Sequence, residues 1–137
     1  MTRGGEAAVL AAGAEIVGQV VKPAGFVFLP GVHASGSGGP FADARFVKGD
    51  QFIEMHFRRS LGLVSYGWGD GVLSHTDYLR GIGTGGSYPG FSDDPLDGFR
   101  HLADDLAGPL AGFVAGDRLS YDSALAVAAS TPARRLP

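Results

Sequence analysis

The chain has 137 residues, 45% hydrophobic and 18% charged, which is enough apolar material for the core of one domain and too much for a disordered segment. A formal net charge of −3, with basic residues never more than two in a row, argues against a broad electrostatic footprint for DNA or RNA. The absence of cysteine excludes disulfides, thiolate metal sites and thiol nucleophiles, and is compatible with a reducing cytoplasm.

Residues 6–22 read as a first helix. Val9, Gly13, Ile16, Val17 and Val20 fall on one face of a 3.6-residue period, with Glu15, Gln19 and Lys22 opposite. Gly13 and Gly18 weaken the helix but permit close packing on a sheet. Pro23 ends it, because the residue before a proline is pushed out of helical dihedrals. Arg3 followed by Ala7 to Ala14 mimics a signal peptide, yet Glu6 and Glu15 bracket the stretch, so a buried helix is expected. No run approaches the roughly 18 apolar residues of a membrane span, so no membrane partner is expected, and the charge balance leaves no nucleic-acid partner expected either.

Phe26 to Leu29 reads as a short strand, and residues 30–40 as a loop rich in Gly and Ser. Residues 42–48 and 51–60 flank Gly49-Asp50, a two-residue connection suited to a tight hairpin. Residues 62–68 form a further strand, after a turn at Ser60-Leu61 or Leu61-Gly62. Val72 and Leu73 extend the sheet. Ser74, with Asp77 three residues on, caps a short helical turn over 75–81. Residues 82–94 read as a long loop. Asp94-Pro95 opens a helix whose stripe is Leu96, Phe99, Leu102, Ala103, Leu106, Leu110 and Phe113, with a break at Gly108-Pro109 and a stop at Gly116. Its outer side is Asp97, Arg100, His101, Asp104 and Asp105. Residues 122–129 form a last short helix, and 130–137 a flexible tail. The expected fold is α+β: an antiparallel sheet of four to five strands with an N-terminal and a C-terminal helix on one face, as a single domain over 1–137 with its ordered core at about 5–129.

The hairpin at Gly49-Asp50 sets a register. Lys48 faces Gln51, Val47 faces Phe52, Phe46 faces Ile53, Arg45 faces Glu54, Ala44 faces Met55 and Asp43 faces His56. Phe46, Ile53, Ala44, Met55, Ala42 and Phe57 then make a core face, joined by Val64, Tyr66 and Trp68. The polar face carries Arg45, Glu54, Asp43, His56 and Arg58, with Ser65 and Gly67 beside them. Such a face is either a solvated surface stitched by weak ion pairs or a site. As a site, His56 is the candidate acid or base with Glu54 or Asp43 tuning it. Arg58, Arg45 and Ser65 are then candidate ligand contacts. In the 82–94 loop, Tyr88 and Phe91 either pin the loop to the core or face a partner.

Other motifs are weak. A metal site would need His56 and His75 to converge with carboxylates, no local histidine spacing supports one, and no metal or cofactor is expected. Ser35 to Gly39 lacks the Lys-Ser/Thr and the helix of a phosphate loop. Gly36-Ser37-Gly38 lacks the helix that follows a nucleophile elbow.

The run FVKGDQFIEMHFRRSLGLVSYGWGD (46–70), followed by YPGFSDDPLDGFRHLADDL (88–106), is similar to small uncharacterised bacterial α+β proteins, some of them immunity-type binders. The resemblance rests on pattern over about half of the chain. It implies a cytoplasmic domain whose job is binding, and no residue roles follow from it.

Two functions fit. One is a small cytoplasmic binding module engaging a protein partner or small ligand through the polar sheet face and the 82–94 loop. The other is a cofactor-free enzyme, hydrolase- or isomerase-like, using His56 with Glu54 or Asp43. A homodimer sharing the sheet face or edge is a third arrangement. Loops closed over Glu54, His56 and Arg58 would favour ligand chemistry, whereas a flat, open face would favour a partner or plain solvent.

Overall fold

The computed structural model describes residues 5–36, 39–58, 60–83 and 94–129. Its architecture is α+β, with five antiparallel strands in sequential order and the helices on one side. The first helix, α1 (Gly5–Val21), leads through a short 3-10 turn (Lys22–Ala24) into β1 (Val27–Gly36). Gly25 makes the change of direction in a left-handed conformation at φ 108°. The sheet continues with β2 (Gly39–Lys48), β3 (Gln51–Arg58), β4 (Ser60–Trp68) and β5 (Gly71–Ser74). Then come α2 (His75–Gly81), α3 (Asp97–Ala107), α4 (Ala111–Ala115) and α5 (Arg118–Ala129).

The register derived at Gly49-Asp50 is observed pair for pair, from Lys48↔Gln51 to Asp43↔His56. Gly49 has φ 60°, as a two-residue hairpin turn requires. The 30–40 segment departs from expectation, since its described residues continue β1 and β2 instead of leaving the sheet as a loop. Pro30 is tolerated because β1 is an edge strand, and a bulge between Pro30 and His33 absorbs the irregularity. The next reversal also differs. Arg58 pairs with Ser60, so the turn comes earlier than Ser60-Leu61. A bulge between His56 and Phe57 then shifts the register, so that Phe57 faces Leu61 and His56 faces Leu63. The shift restores the parity that the early turn would have inverted: Leu61 and Val64 both point inward and Leu63 points out.

One core joins the layers. Phe46, Ile53, Met55, Phe57, Val64, Tyr66 and Trp68 project from the sheet into a cluster with Leu10, Val17, Phe99, Leu102, Leu106, Phe113 and Tyr121 of the helices. On α1 the buried line is Leu10, Gly13, Ala14, Val17, Gly18 and Val21, and the half-buried Val9, Ile16 and Val20 flank it. Gly13 serves contact with another helix and not with the sheet. The Phe99 ring of α3 occupies the space a Cβ would take, and its other side stacks on Phe57 with centroids 5.7 Å apart.

The C-terminal half follows its pattern. Ser74 Oγ accepts the Asp77 N–H at 3.1 Å and caps α2. The expected stripe of α3 is buried or half-buried, Gly108-Pro109 separates α3 from α4, and Gly116 ends α4 at φ 91°. The last helix begins at Arg118, four residues before the expected start. Among the described residues, no helix is long and apolar enough to cross a membrane.

Candidate functional site

The face of the sheet away from the helices is built in rows by the pairing. Nearest the Gly49-Asp50 turn, Val27, Val47, Phe52, Gly67 and Val72 lie side by side across the five strands. The second row is Leu29, Arg45, Glu54, Ser65 and Ser74, and the third is Asp43, His56 and Leu63. Phe52 lies across Gly67, where a side chain would overlap its ring. Arg45 sets its guanidinium over that ring, 4.6 Å from the centroid, and reaches Glu54 Oε1 at 3.4 Å.

Asp43 and His56 form the other cross-strand pair, through Oδ1 and Nδ1, with both side chains about one-third exposed. The Phe41 ring stacks on the His56 imidazole, with centroids 5.3 Å apart. Opposite Asp43, the β1 bulge brings backbone so close that a Cβ on Gly31 would lie 2.6 Å from the Asp43 carbonyl oxygen. On the outer face of β2, β3 and β4 lies a shallow cup of about 230 Å³, lined by Asp43, Glu54, His56, Leu63 and Ser65.

The structure therefore brings together Asp43, His56, Glu54, Arg45 and Ser65 on one face. It sorts them differently from a single catalytic cluster: Asp43 is the partner of His56, whereas Glu54 belongs to Arg45. Arg58 ends β3, and its side chain lies outside the described residues. Tyr88 and Phe91 also lie outside them, as does most of the 82–94 loop. Residues 30–36 run in the plane of the sheet and do not fold over the cup.

The sequence reading missed the apolar share of this face. Val27 is 60% exposed, Leu29 45%, Leu63 63% and Val72 57%. Alternation within Phe26 to Leu29 carries the signal for the first two, since Val27 and Leu29 are exposed where Phe26 and Phe28 turn inward.

A second polar cluster sits on the helix side. His75 is fully buried, and its ring stacks beside Tyr66. Its Nδ1 is 2.7 Å from the Tyr66 hydroxyl and its Nε2 is 2.9 Å from Asp105 Oδ2. Asp105, expected on the outer side of its helix, is turned inward with its side chain 17% exposed. His56 and His75 thus lie on opposite sides of the sheet and do not converge on a metal. Among the described residues, no group of three or more histidines and carboxylates is arranged to hold one. Nearby, burial pushes the Tyr78 phenol up to about 12, partly offset by the Ser120 side chain.

No protein family, curated protein or solved structure matches the chain.

Proposed function

We propose that the chain is a small binding module of the bacterial cytoplasm that docks a protein partner on the open face of its sheet. The supporting observation is the make-up of that face. Of the six exposed large hydrophobic side chains among the described residues, four (Val27, Leu29, Leu63 and Val72) stand there, around the Arg45–Glu54 ion pair and the hydrogen-bonded Asp43 and His56. A purely solvated sheet face alternates to polar residues. Apolar side chains gathered around a few charges are instead the composition of an interaction patch. The cup favours a macromolecular partner over a small ligand. At about 230 Å³ it falls below the roughly 300–1,000 Å³ of pockets that enclose drug-sized molecules.

A photocrosslinking residue placed in cells at Leu63 or Val72, with Leu119 of α5 as control, tests this. A discrete adduct is expected from the first two positions, lost when Leu29→Asp is added, and none from position 119. Equal adducts at all three positions, or none at any, would overturn the docking reading.

One contact favours a second reading. Asp43 holds His56 by Nδ1, which is how a general base is oriented. On this reading the protein is a small cofactor-free hydrolase or isomerase, with His56 as acid or base and Asp43 as its orienting group. Turnover of p-nitrophenyl acetate that falls to background in His56→Gln would support it. Equal rates in the two proteins would remove it.

A further inference from the structure

We infer that the cup on the outer face is an anchor site for a cationic side chain of the partner, an arginine guanidinium in preference to a lysine ammonium. This rests on the docking reading above and names the chemistry at its centre.

The lining is rich in acceptors and poor in donors. Asp43 commits Oδ1 to His56, and Glu54 commits Oε1 to Arg45. Among the described residues, Asp43 Oδ2 and Glu54 Oε2 have no protein donor. Ser65 adds a hydroxyl. Leu63 supplies an apolar wall suited to an aliphatic stem. Among the described residues, the two carboxylates Asp43 and Glu54 outnumber the one guanidinium, Arg45, on this part of the face. An anionic group would meet repulsion there. A neutral group would leave the charge unanswered. A guanidinium brings five N–H donors in a planar fork that matches carboxylate geometry, whereas an ammonium brings three and no plane.

The same face already holds one guanidinium by this combination. Arg45 lies over the Phe52 ring while reaching Glu54. Two residues along the strand the elements recur, with Phe41 stacked on His56 and Asp43 alongside, but among the described residues no cation is seated in the cup. The volume suits one side chain, and the exposed Leu63, Leu29 and Val72 around it would exclude water from the contact, as the surround of an interface hot spot does.

The test uses N-acetyl-arginine amide as probe, with N-acetyl-citrulline amide as its neutral isostere, titrated into the ¹⁵N-labelled protein. The arginine probe should give saturable amide shifts centred on Glu54, His56 and Ser65, and citrulline should give none. Glu54→Gln and Asp43→Asn should each weaken binding by about two- to five-fold, the worth of one exposed charge pair. Arg45→Met, which removes the internal competitor for Glu54, should tighten it. Citrulline shifting the same amides equally, or a Glu54→Gln/Asp43→Asn double variant binding like the parent, would overturn the anchor site. The crosslinks from Val72 lie outside the cup. If they persist while arginine fails to bind, the anchor alone falls; if they too are absent, the docking reading falls with it.

Discussion

His75 Nε2 lies 2.9 Å from Asp105 Oδ2, and that contact ends a polar chain crossing the core from Tyr66 on β4 through α2 to α3. A carboxylate only accepts, so Nε2 carries the proton. Nδ1 then accepts from the Tyr66 hydroxyl, and a neutral imidazole is satisfied at both nitrogens. Burial holds His75 below its ordinary value of 6.5, and the hydrogen bond and charge of Asp105 offset this in part. His101, with Nε2 3.6 Å from the same carboxylate oxygen, also opposes protonation of His75.

The sign of the pH dependence follows. Above 6.5 both the folded and the unfolded chain carry neutral His75, and its contribution to stability is complete. As pH falls below that value, the unfolded chain takes up a proton that the folded chain resists, and stability declines until the folded value is passed. Thermal unfolding from about pH 8 to about pH 5 should show a falling midpoint, and the fall should be smaller in His75→Asn. The same slope in both proteins would show that His75 does not contribute.

Gly13 and Gly18 share a helix and should respond oppositely to alanine. At Gly13 a methyl group would overlap the Phe99 ring, which is itself clamped against Phe57 and cannot move aside. A loss of about 1–3 kcal/mol is expected, the usual cost of overpacking a core. At Gly18 the nearest atoms are the flexible stem of Lys22 at 3.2 Å. There the better helix propensity of alanine should leave stability unchanged or raise it by up to about 1 kcal/mol. Urea unfolding of the two variants decides this.

What could be seen in the sequence was what local rules control. Gly49-Asp50 dictates a hairpin, and the hairpin dictates which of residues 42–57 face the core. Ser74, Gly108-Pro109 and Gly116 mark helix ends by their own chemistry. The strand residues at 30–36 and 39–40 were hidden because glycine, serine and proline signal a loop, and only pairing between β1 and β2 across a bulge overrides that signal. His75 and Asp105 were hidden for another reason. They are 30 residues apart, and no periodicity states that a polar residue on each of two helices will meet in the core. The rows of the outer face needed all four strand pairings at once, so Val27, Leu29, Leu63 and Val72 could not be gathered into one patch beforehand.

Lys48 and Gln51 flank the hairpin turn and reach under it to the helices. Lys48 Nζ donates to the Ala24 carbonyl at 3.2 Å and to the Val114 carbonyl at 3.0 Å, and Gln51 Nε2 donates to the Phe113 carbonyl at 2.7 Å. Phe113 and Val114 belong to the last turn of α4, whose carbonyls lack partners within the helix. Gln51→Met should cost about 0.5–1.5 kcal/mol, the net worth of one hydrogen bond. The cost stays modest because the Phe113 carbonyl still receives the Gly116 N–H at 3.3 Å. Calorimetric unfolding should show a lower midpoint, and an unchanged one would mean that the side chain acts only as packing.

Arg45 and Glu54 should be nearly silent in stability, and that is what makes them useful. Each side chain is 43% exposed, and their closest approach is 3.4 Å. Water and salt screen such a pair, so a double-mutant cycle of Arg45→Met and Glu54→Gln should give a coupling below about 1 kcal/mol, shrinking further as salt is raised. The same two substitutions act in opposite directions on the cup, one removing a competitor for Glu54 and the other removing the charge itself. A change in partner or probe binding in these variants, with unfolding unchanged, can then be assigned to the face and not to the fold. A coupling well above that bound would mean instead that the pair helps to hold the sheet together, and the outer face would then have to be read as structure before it is read as an interface.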